Sequence, residues 1–300
     1  MGFGISRSVR SFRNDILLKV KKFNLPLYRF LIFLGAYFKF INKIFKKKTY
    51  KRYSINLDEI NKYEYKKTSQ NNEDGIIEFI FSKLKINNFN IIEIGFDYFE
   101  NNSINILKKI KKGLFIDGSE EKVFLLKKIF KFIYPKKKIN VLNILINKKN
   151  INLIISENFE KNDEIDFLSI DVDGIDYYLF EELNFRPKII CIEYNFWYGK
   201  DLKCSVPYTE NFTWKMGSLY SGASLLALND LANSKDYYLI AIESSCVNAF
   251  FIRGDLKHNF EILDPKTSFK TPLKYSVENI DQAKQELLKK NLNFFNSSTN

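Results

Sequence analysis

The chain has 300 residues, 45% of them hydrophobic, with 29 Phe and 17 Tyr, enough to bury the core of one large domain and to exclude a disordered protein. Its formal net charge of +12 is concentrated, because residues 1–52 hold 14 Lys and Arg against Asp15 alone and the remainder balances at −1. Three cysteines without a CxxC pair and a single histidine, His258, argue against a disulfide framework, a zinc site or a histidine-centred triad, leaving acid and base chemistry to carboxylates, Lys, Tyr or a metal.

The basic segment, residues 1–54, interleaves its charges with large apolar residues. Its longest uninterrupted apolar run, 30–38, is bracketed by Arg29 and Lys39 and is far shorter than the roughly 20 residues a bilayer span needs. The pattern also fits a signal peptide poorly. It predicts a helical arm lying on an anionic membrane surface, which would make the chain cytoplasmic and peripheral on the inner face of the membrane. Packing against the domain or a second subunit is the plainer alternative. Nucleic acid is the weakest reading, since no RNA motif accompanies the lysines. Residues 55–75 are polar and lack apolar periodicity, so they read as a linker.

From residue 76 the apolar periods alternate between helix and strand. Strands are predicted at 89–94, 114–117, 139–146, 165–170, 189–192, 237–242 and 249–252. Helical patterns at 103–110, 121–132, 151–155, 177–183 and 223–232 separate the first six. The six residues 243–248 are too few for a parallel crossover, so the last two strands must form an antiparallel hairpin. The expected fold is α/β: a Rossmann-like, seven-stranded mixed sheet with an antiparallel last strand, helices on both faces and an N-terminal helical arm. A domain over 76–256 is then followed by a tail, 257–300, with one amphipathic helix at 277–292.

In open α/β sheets ligands bind outside the carboxyl ends of the strands, and acidic residues collect there. The first strand ends at Glu93 and Gly95, and Asn101, Asn102 and Ser103 could cap the next helix. Asp97 and Phe99 stand where a phosphate-binding loop would carry glycines, which disfavours NAD and ATP and favours a phosphate-free cofactor held by carboxylates. Asp117 is placed to bond ribose hydroxyls, with Gly118 and Ser119 permitting close approach; the alternative is that Asp117 and Ser119 cap the following helix. The fourth strand ends at Asp171 and Asp173, and the fifth at Glu193 and Asn195. By the strand's period of two, each pair shares a side. Four oxygen donors converging there suit Mg²⁺, with Asp171 and Asp173 as ligands, or a general base. A turn at Asp173 and Gly174, with Asp176 capping the next helix, is the alternative. The long aromatic connection 196–222 reads as a lid over an acceptor or as packing.

These stretches, IIEIG, GLFIDGSEEK, IDFLSIDVDGIDYYLFEEL, PKIICIEYN, GASLLALNDLA and NAFFI, resemble the FkbM-type group of class I S-adenosylmethionine-dependent methyltransferases over residues 90–253. The family's fourth-strand motif corresponds to Asp171, Val172, Asp173 and Gly174. The resemblance implies an S-adenosylmethionine cofactor contacted by Glu93, Gly95 and Asp117, and a reaction centre at Asp171 and Asp173. The expected activity is O-methylation of a sugar, glycan or glycolipid hydroxyl, the acceptor being a small molecule or glycan. A metal-dependent glycosyltransferase using Asp171 and Asp173, or a non-catalytic membrane adaptor, are the rival readings.

Overall fold

The computed structural model describes residues 20–21, 24–54 and 57–295. Among them, β1 (Phe89–Ile94), β2 (Ile110–Asp117), β3 (Lys138–Asn143), β4 (Phe167–Ile170) and β5 (Ile189–Glu193) run parallel, and a short β6 (Cys204–Ser205) precedes the hairpin of β7 (Tyr237–Ile242) and β8 (Asn248–Arg253). The main sheet has seven strands in the order β3-β2-β1-β4-β5-β8-β7, and β8 is antiparallel to both β5 and β7. This is the mixed sheet expected from the sequence. The chain order reverses direction between β1 and β4, which opens a crevice at their carboxyl ends.

Side chains of successive strand residues serve opposite faces. Ile92 and Ile94 point to a core closed by α4 (Ile151–Asn158), α5 (Asp176–Glu182) and α6 (Leu225–Ser234), while Phe89 and Ile91 point to one closed by α1 (Leu25–Phe45), α2 (Glu73–Lys83) and α3 (Glu120–Ile133). Both faces of the central strands are covered, so β1 and β4 are buried along their whole length.

Four local expectations are corrected. The helix expected over 103–110 is a 3-10 turn, Ile104–Lys109, and β2 begins directly at Ile110. The third strand ends at Asn143 rather than at 146. The polar stretch 55–75 is packed into the domain where it is described: Asp74, completely buried, accepts from the backbone N–H groups of Lys67, Thr68 and Ser69 at 2.7, 2.6 and 2.9 Å and from two hydroxyls. Polar residues can be buried when each is satisfied in this way, which composition alone does not reveal. The helix expected in the tail after 257 ends at Leu288 rather than at 292, and the tail packs on the long connection. Its helix, α7 (Val277–Leu288), buries Ile280, Ala283 and Leu287, and β9 (Asn293–Phe294) pairs with β6 inside the long connection.

The N-terminal arm packs on the domain over the residues described. Phe40 is fully buried and meets Phe130 of α3 edge-on, Tyr37 meets Phe132, and Arg29 pairs with Glu120 at 3.0 Å. The part of the arm at 1–19 lies outside the described residues. No described helix is long and apolar enough to cross a membrane.

Candidate active site

The crevice is a cavity of about 510 Å³ bounded by the carboxyl ends of β1, β2, β4 and β5, within the size range of small-molecule sites. It brings together Glu93, Gly95, Asp117, Gly118, Asp171, Asp173 and Glu193. Ser119 and Asn195, also expected at the site, do other work. Ser119 caps α3, its hydroxyl accepting from Lys122 N at 3.4 Å. Asn195 accepts from Trp197 N at 3.0 Å and donates to the carbonyls of Leu219 and Ser221 at 2.7 and 2.9 Å. Both amide hydrogens are engaged in holding the long connection, and Asn195 lines a smaller cavity beside the main one.

The first loop closes without a glycine run. Gly95 has φ +76°, and a Cβ there would lie 1.7 Å from the carbonyl oxygen of Asp171, so this glycine is required by the contact between the two strand ends. Glu93 turns to the other side of β1 and gathers the loop, accepting from Asn102 N at 3.1 Å and from the Ser103 hydroxyl. Burial pushes its carboxyl up to about 7. At the end of β2, Asp117 accepts from Phe96 N at 3.1 Å and Ser119 N at 2.7 Å, with Lys122 3.6 Å away. Its carboxylate ties the first two strand ends together and retains lone pairs toward the cavity.

The second cluster is built by Asp176, which the sequence offered only as a helix cap. Its completely buried carboxylate accepts from Val172 N at 2.8 Å and Gly174 N at 2.9 Å, and burial pushes it up to about 6. That grip holds Asp173 at φ +58°, a left-handed conformation that a non-glycine residue keeps only when its surroundings impose it. The carboxylates of Asp171, Asp173 and Glu193 consequently offer oxygens all within 4.8 Å of one another, close enough for a hard cation or for proton sharing. Burial first, then the mutual repulsion of these acids, holds Asp171 and Glu193 well above the ordinary carboxylate range. Asp173, the most open of the three, is raised chiefly by burial and lowered by Lys122.

Phe212, in the aromatic connection expected to act as a lid, lines the cavity, as do Glu210 from the same connection and Gln70 from the supposed linker, which the sequence did not single out. Glu210 and Gln70 carried no local signal, because each belongs to an irregular segment whose path depends on what it packs against. A smaller cavity of about 160 Å³ shares Asp173, Glu193 and Val247 with the main one and is walled by Phe196, Trp197 and Trp214. The buried amide oxygen of Asn248, which also borders the main cavity, has no hydrogen-bond donor among the described residues.

No protein-family model matches this sequence, and no curated protein does. Similar solved structures include an S-adenosylmethionine-dependent methyltransferase from Clostridium acetobutylicum (12% identity, 61% of this chain and 90% of that one, TM-score 0.39). The N-terminal domain of EvdMO1 with bound S-adenosylhomocysteine aligns at 10% identity over 62% of this chain and 80% of that one, TM-score 0.40. Magnesium protoporphyrin IX methyltransferase from Synechocystis PCC 6803 with bound S-adenosylmethionine aligns at 7% identity over 60% and 77%, TM-score 0.36. These alignments are weak, and the strand order read directly from the chain carries the fold assignment.

Proposed function

We propose that this chain is an S-adenosylmethionine-dependent methyltransferase of the FkbM type that methylates a hydroxyl of a sugar, glycan or glycolipid. The supporting observation is the acidity of one cavity: eight carboxyl groups line it against a single lining cation, Lys122, and only Glu100 and Glu210 are paired with lysines from outside, Lys43, Lys66 and Lys149. A phosphate-bearing ligand would be repelled there unless metal ions neutralised the walls, whereas a sulfonium with an ammonium group complements them. The orphaned amide oxygen of Asn248 fits the same ligand, since it needs a donor. Glu93 and Gly95 shape the cofactor end, and Asp117 with Gly118 offers the ribose-binding edge.

The cofactor, when bound, supplies an electrophilic methyl group; the residues supply position and proton removal. The acceptor sits in the smaller aromatic-walled cavity, its ring against Trp197 or Trp214 and its hydroxyl at the wall formed by Asp173 and Glu193. Asp173 takes the hydroxyl proton, being the most open of the three acids. Asp171 and Glu193 share one proton between them, which lets these two acids stand together beside the ionised Asp173. The lid residue Phe212 excludes water from the junction.

The same three acids would hold Mg²⁺ in the alternative reading, a glycosyltransferase acting on a nucleotide-sugar diphosphate. Calorimetry with S-adenosylmethionine and with a panel of nucleotide sugars plus Mg²⁺ separates the two. Methyl transfer predicts binding of the first and silence with the second; the reverse result would replace the methyl-transfer reading. Mass spectrometry of a native purification should also find retained S-adenosylmethionine or its demethylated product.

A further inference from the structure

The side of α1 turned away from the domain is an apolar ridge. Phe30, Leu31, Leu34, Phe38, Ile41 and Phe45 recur at helical three- and four-residue steps on one arc, opposite the arc of Ala36 and Phe40 that is buried on the domain. Phe30, Phe38 and Phe45 expose 55%, 60% and 80% of their surface, and Phe132 of α3 continues the patch at 66% beside Tyr37. Scattered exposed apolar residues are ordinary, but a continuous ridge along a helix of 21 residues marks an interaction surface. The charges of its own segment have one sign, with Arg29 and Lys43 reaching Glu120 and Glu100 on the side toward the domain. No Asp or Glu occurs from Leu25 to Phe45, and Lys46, Lys47, Lys48, Lys51 and Arg52 follow at once.

We infer that this ridge docks on an anionic lipid surface, such as the inner leaflet of a membrane, with α1 lying in the interfacial plane. Three considerations select that occupant. The described helix is not apolar enough to cross the bilayer, and an amphipathic helix with basic flanks lies in the headgroup region instead. A second copy of the chain would bring two segments of +13 together, a repulsion that a negatively charged surface turns into attraction. Nucleic acid would need the lysines on the exposed arc, which is occupied by aliphatic and phenyl groups. The docked helix packs on α3, whose Ser119 cap follows directly on Asp117 and Gly118, so the membrane would lie near the Asp117 end of the cavity. This inference does not depend on the methyl-transfer reading.

The test is flotation of the full chain with phosphatidylcholine vesicles carrying phosphatidylserine at roughly one lipid in three, or none. Binding is expected only with the anionic vesicles and should fall in high salt. The exposed-face variant Phe30→Ser/Phe38→Ser and the charge variant Lys46→Gln/Lys47→Gln should each weaken it, the latter by about fivefold per lysine, with unchanged circular dichroism and melting. Equal flotation with both vesicle types would overturn the electrostatic half of the inference. Absence of flotation would overturn it entirely. A stable dimer in light scattering, dissociated by Phe30→Ser/Phe38→Ser without any vesicle binding, would assign the ridge to a second copy.

Discussion

Gly174 and Phe212 meet without room for a methyl group: a Cβ on Gly174 would lie 2.1 Å from Cδ1 of the Phe212 ring. The glycine of the fourth-strand motif therefore allows the aromatic side chain of the long connection to lie directly on the acidic turn. Gly174→Ala should displace Phe212 and loosen the lid, at a stability cost of about 1–3 kcal/mol. We expect the acceptor KM to rise by about tenfold, measured in steady-state kinetics beside urea unfolding. Adding Phe212→Ala should restore stability without restoring the KM.

Gly95→Ala should be more damaging. Its added Cβ would meet backbone, the Asp171 carbonyl at 1.7 Å, and its φ of +76° is itself unfavourable for alanine. A loss above about 3 kcal/mol is expected in urea unfolding. Gly217→Ala is the control: φ is +80° there, yet nothing lies within 4 Å of the added carbon, so only the strain of about 1 kcal/mol should appear.

Glu93 sets a pH dependence of stability. Its carboxyl is raised from 4.5 to about 7 by burial, so between those values the folded chain holds a proton that the unfolded chain releases. Stability is then fullest below about pH 4.5 and falls as pH rises through about 7. Glu93→Gln should remove about 3 kcal/mol of that decline, as seen in urea midpoints across the window. Asp171 and Glu193, raised for the same reason, contribute in the same direction. A bound cation at the site should counter the decline, so S-adenosylmethionine is expected to stabilise the chain more at neutral than at acid pH.

Asp173 is expected to carry proton removal. Asp173→Asn should lower kcat by about a hundredfold or more and abolish the acid limb of the pH–rate profile, because a base must be ionised to act. Treatment with a chelator should leave turnover unchanged. Loss of activity on chelation, restored by Mg²⁺, would transfer these acids to a metal-binding role.

The lid is pinned from behind by α7. Leu287 is 2% exposed and packs with Tyr198 and Cys204, and Phe295 stacks on Tyr177 at 4.5 Å. Leu287→Ala should cost about 2–5 kcal/mol, and proteolysis within 196–222 should accelerate before global unfolding does.

The sheet was legible in the sequence because its signals are local. Apolar runs of strand length alternate with helical spacing, and six residues between the last two strands admit only a hairpin. Glu93, Asp117, Asp171 and Glu193 were legible as strand-end acids for the same reason. Asn195 looked equivalent to them by the period of two, yet its amide is taken by Trp197, Leu219 and Ser221, groups up to 26 residues away. The burial of Asp74, the closure of the loop by Glu93 and the arrival of Phe212 on Gly174 likewise depend on partners whose approach no sequence period encodes. The sequence by itself thus determined the succession of strands and helices, the closing hairpin and the acidic ends of the strands, since periodicity and short connections constrain them. Only the tertiary structure decided which polar groups are consumed in holding the loops and which face the cavity, because a hydrogen bond is settled by where its partner finally lies.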